Sequence, residues 1–282
     1  NAGNPWGGAR ADRAEWVRDM DIPSVSAENP VLYFSCCTPA YDPKMGTIAR
    51  ATARVLRETG AKFGILGSKE SCCGESVRKA GNFALYESLA SNNIKAFQEA
   101  GVKEIIVTSP HCYTGFKNEY PDLGGNFTVA HVVQYLARLV DEKKLTFTKP
   151  FEKKVVYHDP CYLGRHNGIY DEPRRVLASI PGLTLMDERN ARENSLCCGG
   201  GGARIWMETK KGERFSDTLV EQAVEMARLA GPDPDFRDLP APQPPLSPDS
   251  ELALFDPTID GLALADAVRL AADCIEQVRS ID

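Results

Sequence analysis

No CxxC pair occurs anywhere in the 282 residues. That absence matters because tetrahedral zinc sites usually take two of their ligands at about that spacing. Histidine is scarce as well: His111, His131, His158 and His166 are the whole set, and no two stand at the spacing that pairs ligands on one helix. The GxGxxG fingerprint of flavin and nicotinamide sites is missing. The one glycine run, Gly199 to Gly202, lacks the Lys-Ser/Thr of a phosphate-binding loop. No apolar stretch approaches the roughly 18 residues needed to cross a bilayer. Positive charge is in short supply, with 33 Lys and Arg against 39 Asp and Glu, a net charge of −6 and no basic stripe. That balance argues against a nucleic-acid surface. No signal peptide is visible and the first residue is Asn1 rather than Met, so residues upstream are expected.

What is present is cysteine, nine of them. The odd count and two vicinal pairs disfavour a disulfide framework, since adjacent cysteines bridge each other only with strain. In a reducing compartment such clusters read as metal ligands or redox thiols. Leu196-Cys197-Cys198 runs into four glycines, and Cys72-Cys73-Gly74 lies 125 residues earlier, from 72 to 197. Glycine runs lose much chain entropy on folding and suit places where backbone must approach something closely. Each pair has an upstream cysteine at a similar interval: Cys37 (or Cys36) for the first and Cys161 for the second. This repeat divides the chain in two.

The remaining pattern is α/β. Residues 1–30, with Trp6 and Trp16 as docking aromatics, read as an arm or linker with a short polar helix near 13–19. Strands are expected at Val31–Phe34, Phe63–Leu66, Glu104–Val107, Phe127–Val129, Val155–Tyr157 and Leu183–Met186. Helices are expected over 45–58, 77–99, 131–142, 171–179, 214–229 and 262–279, the last carrying Cys274. A proline-rich connector covers 230–250. Strand–helix alternation implies parallel sheets in two Rossmann-like lobes, 31–150 and 151–282. The cysteines then fall at the C-terminal strand ends, the edge where open α/β sheets bind ligands.

Thiolates without histidine spacing suit iron–sulfur clusters better than zinc. The series Cys37, Cys72-Cys73-Gly74-Glu75, Pro110-His111-Cys112, then Asp159-Pro160-Cys161-Tyr162-Leu163-Gly164-Arg165 and Cys197-Cys198-Gly199-Gly200-Gly201 resembles the cysteine-rich "CCG" domains. These occur in heterodisulfide reductases and in membrane-associated iron–sulfur oxidoreductases linked to electron-transfer flavoprotein and menaquinone. The resemblance covers about residues 1–230. It implies pseudo-symmetric lobes and one or two non-cubane [4Fe–4S] clusters. It also implies redox partners: a ferredoxin-like domain, a flavoprotein or a quinone-linked membrane subunit. A cytoplasmic location at the periphery of a membrane complex follows from the same likeness. Asn4-Pro5-Trp6-Gly7 resembles the stretch after a ferredoxin-like domain, so a longer polypeptide is expected.

In that family each lobe supplies one cysteine, a vicinal pair and a CxxC. Here the first CxxC reads Ser109-Pro110-His111-Cys112, and the proline-rich stretch stands where the second belongs. The expected ligands are Cys37, Cys72, Cys73, Cys112, Cys161, Cys197 and Cys198, with Cys36 and Cys274 in reserve. Gly74, Gly199, Gly200, Gly201 and Ser109 line the clusters, the glycine amides facing sulfur. His158, Arg165 and His166 are candidates for acid–base or electrostatic roles, with a satisfied strand-end histidine and a solvated turn as the plainer readings. The expected function is an iron–sulfur electron-transfer oxidoreductase subunit. The rivals are a zinc-bound interaction module and a metal-free dithiol exchanger.

Overall fold

The computed structural model describes residues 2–187, 190–207, 210 and 212–229. The proline-rich stretch, the helix expected over 262–279 and Cys274 lie outside the described residues. Strands β1 (Val31–Phe34), β2 (Phe63–Gly64), β3 (Glu104–Val107) and β4 (Thr128–His131) form an all-parallel sheet in the order β2-β1-β3-β4. A second parallel pair joins β5 (Lys154–Tyr157) to β6 (Thr184–Asp187). The α/β reading therefore holds. Among the described residues the two halves differ in extent, four strands against two.

The central strands β1 and β3 are covered on both faces, which is why they read as continuous apolar runs. Helix α1 (Cys37–Tyr41) follows β1 directly, and α2 (Pro43–Glu58) then crosses over to β2. Pro43 opens α2, where its missing N–H costs nothing, and Asp42 Oδ1 accepts from the amides of Lys44 and Met45 at 2.8 and 3.2 Å. The helix expected over 77–99 is two helices, α3 (Glu75–Lys79) and α4 (Phe83–Glu99). Gly81, at φ 84°, breaks the run, and Asn82 caps α4 by accepting from Leu85 N–H at 3.2 Å. Helix α4 buries Tyr86, Leu89, Ala90, Asn93, Ile94 and Phe97, a stripe at helical spacing.

Helix α5 (Pro110–Thr114) follows β3, and α6 (Val132–Asp141) follows β4. His131 caps α6: its Nδ1 accepts from Val133 N–H at 3.3 Å, so Nε2 carries the proton and donates to Thr108 O at 2.9 Å. Burial pulls its pKa down to about 4, so the ring stays neutral. In the second half α7 (Asp171–Ala178) lies between β5 and β6, and α8 (Phe215–Leu229) follows the glycine run.

Residues 2–30 pack into the fold. Residues 10–17 form a 3₁₀ helix that buries Arg13, Trp16 and Val17. Ser24 bridges Ile65 in parallel, which extends the β2 edge. Gly64 permits that approach, because a Cβ there would lie 2.5 Å from Val25 N. One hydrophobic cluster runs through the molecule, from Leu32, Phe34 and Ile105 to Tyr157, Leu163 and Val176.

Candidate metal centre

Five cysteines meet beyond the C-terminal ends of β1, β2 and β3. Cys36 and Cys37 follow β1, Cys72 and Cys73 end the loop after β2, and Cys112 lies on α5. All five are buried free thiols. Their sulfurs interact along a row: Cys37 with Cys72, Cys72 with Cys73, and Cys112 with Cys73 and Cys36, Cys112 donating to Cys73. The Cys112–Cys73 sulfurs stand 3.3 Å apart.

The series orders the protons. Accepting from Cys112 and Cys72 brings the Cys73 thiol down to about 6, despite burial. Burial resists ionisation of Cys36 most, yet bonds from Cys112, Thr108 and the Ser109 backbone bring it below the usual thiol range. Cys37 is pushed well up by its bond to Cys72 and by burial. Cys72 gains from Cys37, but its bond to Cys73 and burial prevail and push it up to about 12. Donation to Cys36 and Cys73 holds Cys112 well up. Ionisation is thus favoured at Cys73 and Cys36 over Cys37, Cys72 and Cys112.

Among the described residues no three His, Cys, Asp or Glu side chains are arranged to hold a single metal ion. A row of five sulfurs is a poor cage for one tetrahedral zinc. It suits a group with several metal atoms, each needing thiolate. The donor set contains no imidazole or carboxylate, which matches the soft-ligand preference of iron–sulfur clusters. One more observation fits an anionic group here: Arg13 Nη2 is buried with no hydrogen-bond partner.

The local backbone is built for sulfur. Gly74, at φ 83°, donates its N–H to Cys72 Sγ at 3.4 Å, and the Glu75 amide bonds Cys73. In the second half Gly199, at φ 79°, donates to Cys197 Sγ at 3.3 Å and Gly200 donates to Cys198 Sγ at 3.5 Å. The two CCG turns share conformation and bonding. Asn93, fully buried on α4, holds the first turn by accepting from Ser71 N–H at 2.7 Å and donating to Ser71 O, Cys72 O and Tyr120 Oη.

The second set is more open. Cys197 is exposed, and Cys161 and Cys198 are partly so. Burial and then the charge of Cys197 raise the Cys161 thiol. Arg165 donates to the carbonyls of Glu193 and Ser195 at 3.0 and 2.6 Å and so pins the stretch of chain before Cys197. His158 Nε2 bonds Leu196 O at 2.9 Å, the arrangement of a satisfied strand-end histidine. His166 stacks on Tyr162 with ring centres 4.8 Å apart. Asp159, almost fully buried, is the anchor of this half: Arg174 meets both its oxygens at 2.7 Å, and Arg192 N–H donates to it at 2.7 Å.

The first set gathers Cys37, Cys72, Cys73 and Cys112 with Cys36, and Ser109 reaches Cys36 through its backbone. Ser109 also caps α5, its Oγ accepting from Cys112 N–H at 3.5 Å. Gly201 lies against the first half, where a Cβ would stand 3.2 Å from His111 Nε2. Sequence reasoning missed Arg13, Asn93 and Arg174. Asn93 carried a signal, a polar residue inside the apolar stripe of α4; Arg13 and Arg174 carried none.

The twofold C…CCG geometry on a parallel α/β scaffold defines a cysteine-rich domain present twice. This chain belongs to that family: the cysteine-rich domain (CCG) matches residues 31–117 and again 155–234. The chain is similar to the EtfAB:quinone oxidoreductase of Syntrophomonas wolfei, at 44% identity over 235 residues, covering 78% of this chain and 33% of that protein. It is 40% identical over 231 residues to the probable iron-sulfur-binding oxidoreductase FadF of Bacillus subtilis, covering 79% and 33%. It is 37% identical over 207 residues to one subunit of the dihydromethanophenazine:CoB–CoM heterodisulfide reductase of Methanosarcina barkeri, covering 71% and 49%. The chain thus spans a third to a half of the length of these relatives. No described helix is long and apolar enough to cross a membrane.

Proposed function

We propose that this chain is an iron–sulfur electron-transfer oxidoreductase subunit of the heterodisulfide reductase type. Its first half would hold a non-cubane [4Fe–4S] cluster on Cys37, Cys72, Cys73, Cys112 and Cys36. Cys161, Cys197 and Cys198 would form most of a second site, with Cys274 as a further donor. The observation that carries this reading is the gathering of five buried free cysteines beyond the ends of β1, β2 and β3, with the Cys112 and Cys73 sulfurs 3.3 Å apart. The bound cluster would take up and release single electrons toward a disulfide or a quinone-side acceptor. The chain's own groups would supply the thiolates, the glycine amides that bond them, and a dry surrounding on the first side. The relatives' names, a quinone oxidoreductase and a heterodisulfide reductase subunit, support redox partners; the partners proposed are a redox flavoprotein, a ferredoxin-like domain or a quinone-linked membrane subunit, with the chain peripheral to the membrane.

Anaerobic purification followed by iron, acid-labile sulfide and zinc analysis tests the reading, together with electron paramagnetic resonance. Roughly four irons and four sulfides per filled site are expected. Cys73→Ala should remove the first site's share. Zinc without sulfide, or colourless metal-free protein, overturns the proposal.

A further inference from the structure

Arg13 occupies an unusual position for a residue of the N-terminal segment. It is only 1% exposed. Its Nε bonds Glu70 Oε2 at 3.1 Å and its Nη1 bonds Cys37 Sγ at 3.4 Å. The guanidinium carbon stands 5.2 Å from the centre of the Phe34 ring. Nη2, on the same carbon as the Nη1 that touches Cys37, is buried without a partner. A buried cation with an idle donor is costly unless negative charge faces it. One carboxylate is present, but Glu70 divides itself between Arg13 and the Leu66 N–H at 3.2 Å.

The rest of the segment is fastened to the same turn. Gly3 O accepts from Cys72 N–H at 2.7 Å, and Arg10 Nη2 donates to Ser71 Oγ at 2.9 Å. Three points of residues 3–13 thus hold the first CCG turn and the Cys37 sulfur. This is a fixed strap, which brings one permanent positive charge to the row of thiols.

Building on the function proposed above, we infer that Arg13 is a positioning residue that sets the redox poise of the first centre through its charge and its bond to the Cys37 sulfur. One-electron reduction takes an electron from a low-potential donor and adds one negative charge with no proton. A fixed guanidinium beside a ligand sulfur stabilises that added charge, and hydrogen bonds to sulfur act in the same direction. Arg13 therefore raises the midpoint potential. Glu70, on the far side of the guanidinium, opposes it.

The test is a dye-mediated redox titration at pH 8 of the full chain carrying its cluster, followed by visible absorption and electron paramagnetic resonance. Iron and sulfide are counted on each sample. Arg13→Met should keep its iron and shift the midpoint to more negative potential, and Arg13→Lys should recover at least half of that shift. An unchanged midpoint in loaded Arg13→Met overturns the inference, because a purely structural role would alter stability and leave the potential alone. If Arg13→Met fails to fold or load, Glu70→Gln decides: a more positive midpoint supports the inference and an unchanged one overturns it. A wild-type chain that binds no iron and sulfide is a different outcome, and it removes the proposed function itself.

Discussion

Cys36 and Ser109 show how one residue can change the content of a site. Cys36 has φ 71° and ψ 172°, a backbone region occupied almost entirely by glycine that another residue adopts at a cost of about 1–3 kcal/mol. The strain turns its sulfur toward Cys112 and Thr108 Oγ1, the latter at 3.8 Å. Four cysteines and a serine in the family pattern thereby become five thiols. Cys36→Ser is expected to leave the chain folded and to lower iron bound at the first site, measured by iron and sulfide analysis. Ser109→Ala should lower stability by about 1 kcal/mol through the lost cap and leave iron unchanged. Iron lost from Ser109→Ala and retained in Cys36→Ser would reverse the assignment. The sequence marked both residues but could not rank them. Cys36 reads as a spare beside Cys37 because the side to which a residue just past a strand points depends on its φ, which composition does not carry. Arg13 was illegible for a related reason: a charged residue in a polar segment looks solvated until the segment is seen to pack.

At the scale of elements the two CCG turns carry most of the design. Their repeat was legible because it requires particular residues: thiols to bind, then a glycine at positive φ so that successive amides meet successive sulfurs. The strands were legible for their apolar runs, and the cysteines for their place at strand ends. The break between α3 and α4 was not, since the apolar spacing continues through Gly81 and Asn82 and hides a cap. At Gly74 the conformation and the space agree. With φ 83° and a Cβ position 2.9 Å from Tyr86 Cδ2, any side chain must strain the backbone and displace the ring. Gly74→Ala should therefore cost roughly 1–3 kcal/mol of stability, read by urea unfolding, and should lower first-site iron by moving the amide from Cys72. An alanine variant with native stability and full iron would show that the turn tolerates another conformation.

Over the whole molecule, Tyr162 joins the halves. It follows Cys161, and its hydroxyl donates to Glu75 Oε1 at 2.8 Å, next to the first vicinal pair. Its ring lies between His111, at 4.7 Å, and the stacked His166. Its carbonyl accepts from Asn167, which also bonds Thr114 Oγ1 at 2.9 Å. Glu75 is 1% exposed, so its carboxylate depends on such partners. Tyr162→Phe removes the donor and leaves a buried oxygen underbonded, at a cost of about 1–3 kcal/mol. Because one apolar cluster runs from β1 and β3 to β5 and α7, the halves should open together. Native-state hydrogen exchange is the measurement. In a single cooperative unit the slowest amides of β3 and of β5 lose the same increment of protection in Tyr162→Phe. If β5 loses protection while β3 keeps its own, the halves unfold separately, and Tyr162 is a local contact of the second half. The shared increment is expected because the bond spans the boundary between two buried surfaces. Neither half can open without exposing Glu75 or the apolar cluster that continues beneath it.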